Sequence, residues 1–139
     1  RLDVAANGTQ ISWLESYGLT GNYNAQELAD PDSDGALTWE EYVAGTDPTN
    51  GSSKFNLAIG KSAGQMIVSF PALLATGSNY TLKSRFYNVF LSTNIMNSAA
   101  WQSIPGYTGL LGSGSTIIYT NSSADKVKAY RAKVRLQPQ

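Results

Sequence analysis

The sequence predicts a mainly β protein: a small antiparallel β-sandwich of immunoglobulin or fibronectin type, preceded by a short helical segment. Three observations lead there. Apolar residues recur at helical spacing in the first third of the chain and at every second position from Phe55 onward. Gly, Ser and Asn interrupt this second part every few residues, as turns between short strands do. The charge divides at the same place. Residues 1–53 hold Arg1 and nine acids, net −8, whereas residues 54–139 hold nine bases and Asp125, net +8. The formal charge of zero over 139 residues conceals this split, which predicts a domain at 1–53 and another at 54–139 with different tasks.

In the first part Ile11, Leu14 and Tyr17 mark one face of a short helix that Gly18 stops. A second short helix is expected over 24–29. A third is expected over 38–44, ending at Gly45, with Thr38 and Glu41 spaced as a capping box. Pro48, Asn50, Gly51, Ser52 and Ser53 then read as a linker. In the second part Phe55, Leu57 and Ile59 alternate with polar residues, as do Met66, Val68 and Phe70. A long run over 80–92 carries β-formers on both parities, and further strands are expected near 101–104, 116–120 and 129–136. In the last of these, Tyr130, Ala132, Val134 and Leu136 form the buried face and Arg131, Lys133 and Arg135 the solvated one. Six or seven short strands suit the sandwich.

Composition excludes much chemistry. With no His and no Cys, the chain has no imidazole base, no thiol nucleophile, no disulfide and no zinc site of the usual N/S kind. A metal here is bound by oxygen. No apolar run approaches the roughly 20 residues of a membrane span. Beginning at Arg1, the chain reads as a piece of a longer protein, and its Ser, Thr, Asn and Gly-rich turns suit an exported one.

Residues 30 to 41, Asp-Pro-Asp-Ser-Asp-Gly-Ala-Leu-Thr-Trp-Glu-Glu, match the twelve-residue EF-hand calcium loop at each defining position. Asp30, Asp32 and Asp34 at positions 1, 3 and 5 project into a tight turn that Gly35 permits. Ala36 offers its carbonyl at position 7, Thr38 its hydroxyl or a bound water at position 9, and Glu41 both carboxylate oxygens at position 12. Carboxylates gathered this closely repel one another unless a cation sits among them. A degenerate copy lies near the start: Asp3, Asn7 and Gly8 keep positions 1, 5 and 6, but Ala5 takes position 3 and Leu14 position 12, with Glu15 next to it. Asp47 is either an outside ligand or the cap of the turn before Pro48.

The string from Asp30 to Thr49 resembles the calcium loops of dockerins and thrombospondin type 3 repeats. It is still more similar to C-terminal appendages of exported bacterial proteins in which such a loop precedes a small β domain. The blocks Lys83-Ser84-Arg85-Phe86-Tyr87, Trp101-Gln102, Ile104-Pro105-Gly106-Tyr107-Thr108 and Tyr130-Arg131-Ala132-Lys133-Val134 extend that resemblance over nearly the whole chain. The chain departs from the pattern at the degenerate first loop and at Trp39 and Phe90. The resemblance implies a secreted bacterial module, monomeric and attached in its parent chain to a polysaccharide-degrading catalytic domain. It also implies Ca²⁺ as cofactor and binding to cellulose or another β-glucan.

Sugar rings stack on exposed aromatic faces. If Tyr87, Val89 and Leu91 face the core, then Phe86, Asn88 and Phe90 face outward as a binding strip. Trp101 and Tyr107, bracketing a Pro-Gly turn, are further platforms. Trp13 is expected in the core. The function expected is therefore a non-catalytic carbohydrate-binding module with structural calcium. A cell-surface attachment, sorting or protein-interaction domain is the alternative. Catalysis is disfavoured because the β half holds one acid, and a nucleic-acid partner because bases and aromatics do not interleave in an RNA-binding pattern.

Overall fold

The computed structural model describes residues 3–122, 127 and 129–138. Asp125, Lys126 and Lys128, all part of the charge argument above, lie outside the described residues. The chain divides into two compact units. Unit 1 is Arg1–Phe55 together with Ala75–Lys83, and unit 2 is Asn56–Leu74 with Ser84–Gln139.

Unit 1 holds three helices: α1 (Ile11–Ser16), α2 (Tyr23–Glu27) and α3 (Thr38–Ala44). Asn22 caps α2 by accepting from the Ala25 amide at 3.2 Å. Gly45 ends α3 in the left-handed region, at φ +83°, where only glycine is free of a Cβ penalty. All three are too short to be stable alone, so burial must hold them. The Trp13 ring meets Tyr17 edge-on at 5.0 Å and Tyr42 at 5.1 Å. Tyr42 stacks on Tyr80 at 4.8 Å. Main-chain oxygens take both phenols: Tyr80 Oη donates to Tyr42 O at 2.7 Å and Tyr42 Oη to Asn79 O at 2.5 Å. Ser12 Oγ donates to Asn79 Oδ1, and Lys83 Nζ lies 5.3 Å from the Tyr42 ring centre.

The stretch Ala75–Lys83, expected within the β half, belongs to unit 1. Its β-forming Tyr80 sits in a 3-10 turn, Ser78–Tyr80, with its ring stacked on Tyr42. The strand expected from residue 80 accordingly begins at Lys83.

Unit 2 is antiparallel β. Its strands are β1 (Ala58–Ser62), β2 (Gln65–Pro71), β3 (Lys83–Ser92), β4 (Trp101–Ser103), β5 (Leu110–Leu111), β6 (Thr116–Asn121) and β7 (Ala129–Pro138). One sheet runs β1-β2-β6, with Val68 opposite Tyr119 and Phe70 opposite Ile117. The other is built on β3, which pairs with β4, β5 and β7. The β3 register steps by four residues between β4 and β5, the length of the intervening Ile104–Tyr107 turn. Val68, Phe70, Ala72, Tyr87, Val89 and Ile104 are buried. Phe70 from the first sheet and Tyr87 from the second come within 5.3 Å, so the two share a core.

The expected first strand over Phe55, Leu57 and Ile59 lies instead at Ala58–Ser62, exposed along its whole length. The hairpin turn decides this: Ala63 (φ +52°) and Gly64 (φ +78°) form a two-residue loop that closes Ser62 on Gln65. Arg85, placed on the inner face of β3, is 2% exposed, and its Nη1 donates to the carbonyls of Leu73 and Leu74, each at 3.3 Å. None of the helices among the described residues is long and apolar enough to cross a membrane.

Candidate functional site

The Asp30–Glu41 loop gathers its acids as its spacing requires. The carboxylates of Asp30, Asp32 and Asp34 offer oxygens within 4.8 Å of one another. The turn that brings them together places Ser33 at φ +58° and Gly35 at φ +95°. Main-chain amides hold both oxygens of Asp30 and one each of Asp32 and Asp34: Asp34 N donates to Asp30 Oδ1 at 3.1 Å and to Asp32 Oδ1 at 3.3 Å, Gly35 N to Asp30 Oδ2 at 3.0 Å, and Ala36 N to Asp34 Oδ1 at 2.8 Å. Gly51 of the linker backs onto the loop, where a Cβ would stand 3.4 Å from Asp32 O.

Glu41 comes from the first turns of α3 and is 1% exposed. Its Oε1 accepts from Thr46 Oγ1 at 3.1 Å, while its Oε2 is buried without a partner. Asp32 Oδ2 and Asp34 Oδ2 are buried and unpartnered in the same way. Burial first, then the charges of Asp34, Asp32 and Asp30, push Glu41 up to about 7. Burial and a hydrogen bond to Asp30 raise Asp32. Asp30 goes the other way: burial opposes its charge, but the amides of Gly35 and Asp34 outweigh this and hold its pKa low. Three unpartnered, buried carboxylate oxygens beside a cluster of hard oxygen donors fit a divalent hard cation. Asp30, Asp32, Asp34 and Glu41, with the carbonyl of Ala36, would hold it.

Thr38 also has a structural partner. Its Oγ1 and its amide both bond to Ala29 O, each at 2.9 Å, so the buried hydroxyl pins α3 to the end of the α2 segment. The capping arrangement also differs from the expected Thr38/Glu41 pair. Glu40 Oε1 caps the Leu37 amide at 2.8 Å, which leaves Glu41 turned inward. Asp47 caps its own turn, accepting from Thr49 N at 2.9 Å and Thr49 Oγ1 at 2.7 Å.

The degenerate first loop is closed by a residue its spacing did not reveal. Glu27 of α2 is fully buried, and its Oε1 accepts from Asn7 N at 2.6 Å and Asn7 Nδ2 at 3.1 Å. Ala5, at the missing third position, belongs to the core. The only signal for Glu27 in the sequence is its place beside Leu28 in a short helix, where an acid on the buried face is uncommon.

In unit 2 Phe86, Asn88 and Phe90 of β3 are half-buried and lie on the face opposite the buried Arg85, Tyr87 and Val89. Trp101 stands opposite Ser92 in the β4 register and so joins Phe86, Asn88 and Phe90 on that face. These rings are not bare. Arg131 lies over Trp101 at 4.3 Å and over Phe90 at 5.3 Å, Lys133 over Phe90 at 5.5 Å, and Arg135 over Phe86 at 5.2 Å. Asn88 Oδ1 accepts from Gly109 N at 2.5 Å and from Arg135 Nη1 at 3.2 Å. The cationic row of β7, expected to meet solvent alone, thus covers the aromatic row of β3. Tyr107 lies apart from this row. It donates from Oη to Ile118 O at 3.0 Å and meets Tyr119 edge-on at 5.0 Å.

Comparison of the chain with protein-family models, with curated proteins and with solved structures finds no match.

Proposed function

We propose that this chain is a non-catalytic carbohydrate-binding module of a secreted bacterial polysaccharide-degrading protein, its N-terminal unit locked by Ca²⁺ and its β unit an immunoglobulin or fibronectin-like sandwich. The observation that carries the calcium reading is Glu41: a carboxylate 1% exposed, with an oxygen that nothing bonds, beside three gathered aspartates. Ca²⁺ supplies no chemistry in this reading. It neutralises the cluster and fixes the entry to α3. The glycan reading rests on Phe86, Asn88, Phe90 and Trp101 sharing one sheet face. The remaining acids do not form a facing catalytic pair in unit 2, whose sequence holds Asp125 alone.

Affinity electrophoresis of the calcium-loaded protein through gels containing hydroxyethyl cellulose, xyloglucan or a carboxylated glycan tests this. Retardation in at least one gel is expected; free migration in all of them, with no pull-down on cellulose, refutes the glycan reading. A second reading, attachment to an anionic cell-surface polymer, is favoured by the cations that cap the rings.

A further inference from the structure

Resting on the glycan-binding reading, we infer that the outer face of β3 and β7 takes an acidic polysaccharide, one carrying a carboxylate on its sugar rings, rather than a neutral glucan. A neutral chain needs bare aromatic faces. Here the faces of Phe86, Phe90 and Trp101 carry Arg135, Lys133 and Arg131. A neutral sugar would have to displace those cations and gain no charge partner for them. An acidic sugar leaves them where they are.

Among the described residues of unit 2 no carboxylate answers these cations. Unit 2 contains seven bases and one acid, Asp125, which lies outside the described residues. Alternate residues of a strand stand about 6.7 Å apart, so Arg131, Lys133 and Arg135 form a straight file roughly 13 Å long. Such a file suits an extended polymer with anions repeated along it. Each guanidinium lies within 5.3 Å of a ring centre, and a guanidinium held over a ring keeps terminal N–H donors that can meet a carboxylate. The aliphatic stems offer C–H surface to the pyranose between them. Asn88 spends Oδ1 on Gly109 and Arg135, and its amide N–H groups are donors of the kind a sugar hydroxyl accepts from. Single-stranded nucleic acid fits less well, because its bases need the flat aromatic faces that the cations occupy.

The experiment uses the whole calcium-loaded chain in affinity gels with polygalacturonate, fully methyl-esterified polygalacturonate, hydroxyethyl cellulose and, separately, oligo-dT. The ester keeps the sugar and removes the charge. Retardation by polygalacturonate that falls at least tenfold on esterification, and likewise in 0.5 M NaCl, supports the inference. Lys133→Gln, an exposed site, is expected to weaken binding several-fold at an unchanged melting temperature; Arg131→Lys, which keeps the charge, is expected to lose less than Arg131→Gln. Equal binding to hydroxyethyl cellulose and polygalacturonate overturns the inference and leaves the glycan reading standing. Oligo-dT bound as tightly as polygalacturonate at the same salt shows a general polyanion surface and overturns it as well. No retardation by any glycan overturns both.

Discussion

Glu41→Gln separates the two things its carboxylate does. In the calcium-free protein the group has a folded pKa of about 7 against 4.5 when unfolded, so between those values the folded state holds a proton that the unfolded chain has lost. Stability must then fall as pH rises through this window. The full shift corresponds to about 3 kcal/mol, and solvent around the part-exposed aspartates reduces this to roughly 1–2 kcal/mol. Calcium-stripped protein should therefore melt several degrees higher at pH 5.5 than at pH 7.5, and Glu41→Gln should flatten that difference. With Ca²⁺ bound the carboxylate is held ionised and the sign reverses: stability is present at pH 7.5 and lost on acidification. Melting curves at both pH values, stripped and in 2 mM Ca²⁺, for wild type and Glu41→Gln, make the comparison. A stripped wild type that melts higher at pH 7.5, or a slope unchanged in Glu41→Gln, refutes the assignment of Glu41 to the acidic cluster.

Gly112→Ala should destabilise unit 2 by about 3 kcal/mol or more, because the added Cβ would stand 2.2 Å from Leu73 O and 3.0 Å from the Tyr87 ring. Urea denaturation followed by far-ultraviolet circular dichroism reads the loss. Tyr107→Phe removes one hydrogen bond to Ile118 O and should cost about 1 kcal/mol, with retardation in glycan gels unchanged. Glu27→Ala removes the oxygen that accepts from both Asn7 donors and should lower unit 1 stability by roughly 2–4 kcal/mol whether or not Ca²⁺ is present, as calorimetric melts with and without chelator would show.

The signals that were legible in the chain were local ones. Helical spacing and Gly45 located α3 at the expected residues, and alternation located β2 and β6, because each depends on near neighbours. The loop from Asp30 to Glu41 was legible for the same reason: the turn is short, and its amides fix its own carboxylates. Side-chain roles that depend on distant partners were not. Thr38 suits a metal ligand by position, and nothing in that spacing tells that its hydroxyl donates to Ala29 O, an acceptor left at the end of the preceding segment. Tyr80 has the composition of a strand residue, and its ring is captured by Tyr42. Glu27 gave almost no warning, since its partner Asn7 lies twenty residues earlier. The alternation in β7 identified the cationic face correctly, but not that Phe86, Phe90 and Trp101 lie beneath it, which depends on β7 pairing with β3.

The calcium claim is met most directly by isothermal titration of CaCl₂ into the stripped protein, for wild type and Glu41→Gln side by side. A wild-type isotherm with one strong site and a Kd between about 1 µM and 1 mM is predicted, as is a melting temperature that rises with Ca²⁺ in proportion to its binding. Glu41→Gln should weaken that site at least tenfold. No heat and no thermal shift at 10 mM Ca²⁺, or full-strength binding retained by Glu41→Gln, contradicts the account.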